Sequence, residues 1–191
     1  MNFNSYEFVL CYLPIVVILW YQLNKLAGSR YAKLMLVVAS LIFYGFNNFV
    51  YVFLIIGSIG INYFCYLLMR KGRAERKKMF LLIGVILDIG ILFYFKYYDF
   101  FVENFNYVLD TDFNLKNLIL PLGISFYTFQ QIGFLADCYR GEVKELSFLD
   151  YCLFVTFFPQ LVAGPIVEYN EMLPQFNDAG KKHVKRNRTW V

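Results

Sequence analysis

Tyr127, Gln130, Gln131 and Asp137 lie in the stretch PLGISFYTFQQIGFLADCYRGE, residues 121–142. At about 100° per residue they share one face of a helix, with Arg140 near its edge, while Ser125 and Thr128 point elsewhere. A phenol, two amides and a carboxylate in an otherwise apolar helix will not face lipid. They line a polar cavity or bind neighbouring helices. In a cavity, such groups can steer a polar acceptor or a thioester carbonyl through hydrogen bonds. Asp137 and Arg140 are also spaced for an i,i+3 ion pair, a structural contact.

Other polar residues carry less chemistry. Asp88 sits mid-segment in LLIGVILDIGIL, where an acid is costly unless protonated, paired or hydrogen-bonded. Ser58 and Asn62 suit contacts between helices. His183, the single histidine, is flanked by solvated cations in KKHVKRN, which is poor shelter for a general base. Cys11, Cys65, Cys138 and Cys152 have no metal-ligand spacing and suit small buried hydrophobes. GxSxG, HExxH, CxxC and phosphate-cradling glycine loops are absent from the sequence. No residue is assigned as catalytic or as a metal ligand.

The elements that must position these groups are membrane helices. The chain of 191 residues is 59% hydrophobic and 21% aromatic, more apolar than a water-soluble domain of that size supports. The predicted fold is an all-α, polytopic integral membrane bundle forming one continuous domain over 1–191. Its predicted membrane segments are 6–23, 31–46, 49–69, 79–98 and 118–138, with a re-entrant piece at 146–166. MNFNSYEF has no basic n-region, so the first segment reads as a retained span, not a signal peptide.

Charge between segments predicts orientation. Lys25, Arg30 and Lys33 follow the first segment, and Arg70, Lys71, Arg73, Arg76, Lys77 and Lys78 follow the third. The positive-inside rule puts these basic runs in the cytoplasm and the N-terminus and the 99–117 loop outside. The aromatics of that loop suit an amphipathic piece in the interface. The net charge of +4 reflects this topology and not nucleic-acid binding. A full crossing at 146–166 would put the basic tail around Lys181–Arg188 on the outer side. Pro159, Gly164 and Pro165 in FFPQLVAGPIVEY favour a hairpin instead, since broken backbone at membrane depth must be satisfied by protein or a wet cavity.

The stretches LPLGISFYTFQQIGFLADCYRGE and FFPQLVAGPIVEYNEMLPQF, with ASLIFYGFNN upstream, resemble the bacterial branch of the membrane-bound O-acyltransferase family, the alginate and peptidoglycan O-acetyltransferases. Pro121, Gly123, Ser125, Phe126, Tyr127, Gln130, Asp137, Tyr139, Arg140 and Gly141 match the first motif. Pro159, Gln160, Gly164 and Pro165 match the second. The resemblance implies a bundle around a funnel in the bacterial inner membrane, with Ser125, Tyr127, Gln130, Gln131, Asp137, Arg140, Gln160, Gly164 and Pro165 as tunnel-lining residues. It implies no bound cofactor, a cytoplasmic thioester donor such as acetyl-CoA or an acyl carrier, and a periplasmic or extracellular polysaccharide-modifying partner. The family's catalytic histidine lies beyond the second motif, and His183 does not match it. The chain is therefore expected to be the N-terminal portion of such an enzyme, inactive alone. A transporter subunit would show broken helices repeated in two halves, and no second copy is present. A non-catalytic scaffold would tolerate loss of the polar stripe.

Overall fold

The computed structural model describes residues 5–46, 48–143, 145–163 and 169–178. They are helix and connecting loop, with no strand among them. A π-helical turn at Phe8–Tyr12 runs directly into α1, Leu13–Leu26, and Pro14, which has no N–H to return to that turn, follows it. Then follow α2 (Ser29–Gly45), α3 (Phe49–Lys71), α4 (Ala74–Lys96), α5 (Tyr98–Leu109), α6 (Ile124–Arg140), α7 (Phe148–Thr156), α8 (Phe158–Ala163) and α9 (Tyr169–Asp178). Segments Phe8–Leu26, Phe49–Lys71 and Glu75–Lys96 are long and apolar enough to cross a bilayer. α2 and α6, at 17 residues each, are at the lower limit of a span.

Local signals set the helix ends. Asn48 caps α3 by accepting from Val50 N at 3.0 Å, and Ser147 caps α7 by accepting from Asp150 N at 3.1 Å. Gly141 ends α6 at φ 78°, its N–H returning to the Asp137 and Cys138 carbonyls. On α3 the buried residues Val52, Ile55, Ser58, Ile59, Asn62, Cys65, Tyr66 and Met69 recur every three or four positions, a single stripe turned inward. α4 packs on α3 and α6, and α2 on α1 and α7. The core centres on Ile55, Tyr66, Tyr127, Phe134, Leu135 and Tyr151. An aromatic knot of Phe8, Phe43 and Phe158 forms the second cluster. Ile15, Ile18, Ile86 and Ile89 face outward, as lipid-facing positions should.

Side-chain contacts sort the helix ends into two levels. At one, the Tyr51 hydroxyl donates to the Ile119 carbonyl, and Lys96 Nζ donates to Ser125 Oγ at 3.3 Å. At the other, Arg70 pairs with Glu145 at 2.6 Å, Tyr66 OH accepts from Leu146 N at 3.1 Å, and Lys33 pairs with Asp150 at 2.6 Å.

Several sequence expectations change here. The segment expected at 118–138 becomes helical only at Ile124, because Pro121 lacks a donor and Gly123 takes φ 67°. The segment at 79–98 is extended toward the N-terminus, so Arg76, Lys77 and Lys78 ride on the first turns of α4. Lys33, expected as a loop charge, is 7% exposed within α2. The piece at 146–166 is interrupted at Phe157, where φ is −52° and ψ 103°. The amphipathic piece expected in the 99–117 loop is helical in α5, which buries no residue. Gly164, Pro165 and the tail with His183 lie outside the described residues.

Candidate functional site

The polar stripe of α6 is buried, and it divides between neighbours. Gln131, with no exposed surface, donates from Nε2 to Ser58 Oγ on α3 at 2.9 Å. Its Oε1 accepts from the Tyr151 hydroxyl on α7 at 3.1 Å. On the same face of α3, Asn62 Nδ2 donates to the Ser58 carbonyl at 3.1 Å and to Asp88 Oδ1 on α4 at 2.8 Å. A ladder of Asp88, Asn62, Ser58, Gln131 and Tyr151 thus joins α4, α3, α6 and α7 through the apolar centre. In so dry a setting each bond is worth more than in water, because the alternative is an unpaired polar group.

Gln130 has a different task. In an uninterrupted helix the Phe154 carbonyl would take the N–H of Phe158, four residues on. At the break, Phe158 N turns to Ser40 Oγ on α2 at 3.4 Å, and Gln130 Nε2 supplies the missing donor to Phe154 O at 2.9 Å. Phe157 then serves as the start of α8, its carbonyl accepting from Gln160 N at 3.1 Å and Leu161 N at 3.0 Å. Pro159 sits in the first turn, where it leaves no donor unpaired. Two side chains, one from α2 and one from α6, therefore pair the Phe158 N–H and the Phe154 carbonyl that the break separates. For this peptide pair protein does what the sequence reading left open to protein or a wet cavity.

The remaining candidates are scattered. Asp137, 8% exposed, pairs with Arg140 at 2.6 Å, and Arg140 also reaches Glu142 at 3.5 Å, so the i,i+3 pair is a cap-like cluster at the end of α6. Ser125 is at the opposite end, against Lys96. Tyr127 is buried beside Tyr44 of α2, and the two hydroxyls face each other. Gln160 is half-buried on α8. No described group of three or more His, Cys, Asp or Glu could hold a metal. A surface groove between α2 and α3 is apolar, lined by Val38, Leu41, Ile42, Gly45, Phe46 and Phe49, and contains none of the polar candidates.

Tyr151, Ser40 and the Lys33–Asp150 pair were not legible as participants in the sequence. Tyr151 closes the ladder, and its hydroxyl gave no signal inside the apolar run FLDYCLFV. Lys33 with Asp150 ties α2 to α7, and Asp150 is further held by Ser147 Oγ at 2.6 Å. Helical spacing does put Lys33 on the face of Leu36, Val37 and Ser40, all buried, and that register was the available clue.

These features define a class: an all-α membrane protein whose spanning helices enclose a polar ladder beside an interrupted helix pair. Residues 137–189 match the model of the MBOAT, membrane-bound O-acyltransferase family. The chain is similar to a peptidoglycan O-acetyltransferase of Helicobacter pylori, 40% identical over 95% of this chain and 40% of the relative. It is similar to a probable alginate O-acetylase of Pseudomonas aeruginosa, 35% identical over 93% of this chain and 35% of that protein. A teichoic acid D-alanyltransferase of Lacticaseibacillus rhamnosus is 32% identical over 29% of the chain. No solved structure matches. The chain is similar to membrane-bound O-acyltransferases over nearly its whole length and spans about two fifths of the length of the first of these relatives.

Proposed function

We propose that this chain is the N-terminal portion of an enzyme that moves an acetyl group from a cytoplasmic thioester donor, acetyl-CoA or an acyl carrier, to a hydroxyl of a cell-envelope polysaccharide. The observation that carries the reading is the likeness, over nearly the whole chain, to relatives named for acetyl transfer to peptidoglycan and alginate. The geometry supports a membrane setting for it. α8 approaches the α6 start, the Leu161 carbonyl standing 2.8 Å from where a Cβ on Gly123 would be. Tyr169, a few residues on, contacts Phe134 and Phe154 and points its hydroxyl at the Glu145 carbonyl, 3.5 Å away. Leu161 thus lies against the start of α6, while Tyr169 packs on Phe134 past its midpoint and reaches toward Glu145 beyond its end, which supports a re-entrant hairpin in a multi-pass protein of the bacterial inner membrane. A polysaccharide-modifying protein on the outer side would be the partner.

In this reading most of the described residues build scaffold, and the proton transfer from the acceptor hydroxyl falls to a residue outside them, a histidine by family resemblance. Tyr127, whose buried hydroxyl faces that of Tyr44, and Gln160 are the candidates on this chain for touching substrate. The test is transfer of labelled acetate from acetyl thioester to envelope polysaccharide in membranes containing the enzyme in its whole natural reading frame. Tyr127→Phe is expected to lower the rate while leaving the protein folded. Full transfer by the purified 191-residue chain, dependent on His183, would overturn the division of labour.

A further inference from the structure

Asp88 and Asn62 face each other across the α3–α4 contact at mid-helix, 2% and 0% exposed. One hydrogen bond joins them, Asn62 Nδ2 to Asp88 Oδ1 at 2.8 Å. The amide's other N–H goes to the Ser58 carbonyl of its own helix at 3.1 Å. Two side-chain oxygens of the pair, Asp88 Oδ2 and Asn62 Oδ1, are buried with no hydrogen-bond partner. An amide oxygen can only accept, and so can both oxygens of a carboxylate. If Asp88 were ionised, both orphans would be acceptors and neither could satisfy the other. With a proton on Oδ2, the orphans become donor and acceptor.

We propose that Asp88 and Asn62 form a proton-binding site in the membrane core, a closed acid–amide ring in which Asp88 Oδ2–H donates to Asn62 Oδ1 while Asn62 Nδ2–H donates to Asp88 Oδ1. A single bound proton satisfies both orphaned atoms and removes the charge. The surroundings favour this ligand over a metal cation. Among the described residues no ion pair involves Asp88. The groups that face it are Cys65 and the Ser58 hydroxyl on α3, Tyr127 on α6 and Tyr151 on α7, all neutral when protonated. Space is tight as well. One turn before Asp88, a Cβ on Gly84 would stand 2.4 Å from Leu135 Cδ1 and 3.6 Å from Asn62 Oδ1, so α4 and α6 close over the pair. A dehydrated cation needs several oxygen ligands, and two orphaned oxygens do not supply them.

The ring adjoins the ladder: Asn62 also donates to the Ser58 carbonyl, and Ser58 Oγ receives Gln131, so the proton sits where α4 meets α3 and α6. The site takes no part in the acyl transfer proposed above, and its test does not depend on activity. Infrared spectra of the chain in lipid nanodiscs at neutral pH should contain the carbonyl band of a protonated carboxylic acid, moving in D2O and vanishing in Asp88→Asn. That variant is expected to melt like the parent, because two facing amides can make the same pair of hydrogen bonds. In Asn62→Ala the acid band should persist but shift, its ring partner gone. Three results would overturn the proposal: no acid band lost in Asp88→Asn, a band unmoved by Asn62→Ala, or a sodium- or potassium-dependent melting temperature that Asp88→Asn abolishes.

Discussion

At the scale of single residues, the fold is held where polar atoms have no water to fall back on. Lys33 and Asp150 form the sharpest case, with side chains 8% and 21% exposed at 2.6 Å. Removing one member strands the other charge at a buried position, whereas removing both leaves none. Lys33→Leu is therefore expected to destabilise by about 3 kcal/mol, at the lower end of the range for a buried pair because Asp150 keeps some solvent. Lys33→Leu with Asp150→Leu should recover much of that loss in a detergent melting assay. Equal or greater loss in the double variant would mean that the aliphatic replacements, not the stranded charge, are at fault. Gln130 is a subtler case, since it replaces a backbone donor. Gln130→Leu leaves the Phe154 carbonyl unsatisfied and should cost about 1–3 kcal/mol, read as a lower melting temperature. Ser40→Ala removes an acceptor held at the longer distance of 3.4 Å and is expected to cost less. Polarity in an apolar helix marked Gln130 as interior, yet nothing local could say that its partner was a carbonyl freed 24 positions later.

At the scale of elements, what was legible depended on whether the signal was local. α3 could be found because its stripe and its Asn48 cap lie in adjacent sequence. The start of α6 could not, since the apolar run NLILPLGISFY hides a loop that Pro121 and Gly123 enforce. Gly123 has two reasons to be glycine, a φ of 67° and a Leu161 carbonyl 2.8 Å from the missing Cβ, whereas Gly141 has only its φ of 78°, with nothing within 4 Å. Left-handed strain costs an L-residue about 1–2 kcal/mol at either site. Gly123→Ala should therefore lower stability by at least about 1 kcal/mol more than Gly141→Ala, because backbone must move as well as twist. Matching losses would show that α8 does not press on the α6 start. α5 poses the complementary question, since it buries nothing and is fastened mainly by the loop that follows. Lys116 lies 4.5 Å from the Tyr94 ring centre and 4.6 Å from that of Tyr98, and its backbone N–H binds Asp99 at 2.8 Å. The Tyr94 hydroxyl beside its ammonium holds Lys116 above the ordinary lysine range, so the clip stays charged through neutral and mildly alkaline pH.

At the scale of the whole molecule, two sets of contacts divide the bundle into a basic end and an aromatic end. Arg70, Arg73 and the start of α4 share a level with Glu142 and Glu145. The Tyr51–Ile119 and Lys96–Ser125 contacts define the other level. Charge patterning in the sequence predicted this division, because the cost of moving cations across lipid acts on loops that never need to touch one another. It could not predict the path of the chain beyond Thr156, because a break at Phe157 permits either a kinked crossing or a return. Side-specific cysteine labelling in intact cells and inverted membranes separates the two, in a background with the four native cysteines replaced. Arg73→Cys and Glu142→Cys are expected to react only from the cytoplasm, and Asp112→Cys only from outside, since all three are exposed at opposite ends of the bundle. Lys185→Cys then decides the path. Labelling together with Arg73→Cys means that the chain dips into the bilayer and comes back, with Gln130 and Ser40 pairing the Phe154 carbonyl and the Phe158 N–H at the break. Labelling together with Asp112→Cys means a full crossing, and the interruption at Phe157 would then be a kink within a span whose basic tail violates the charge rule.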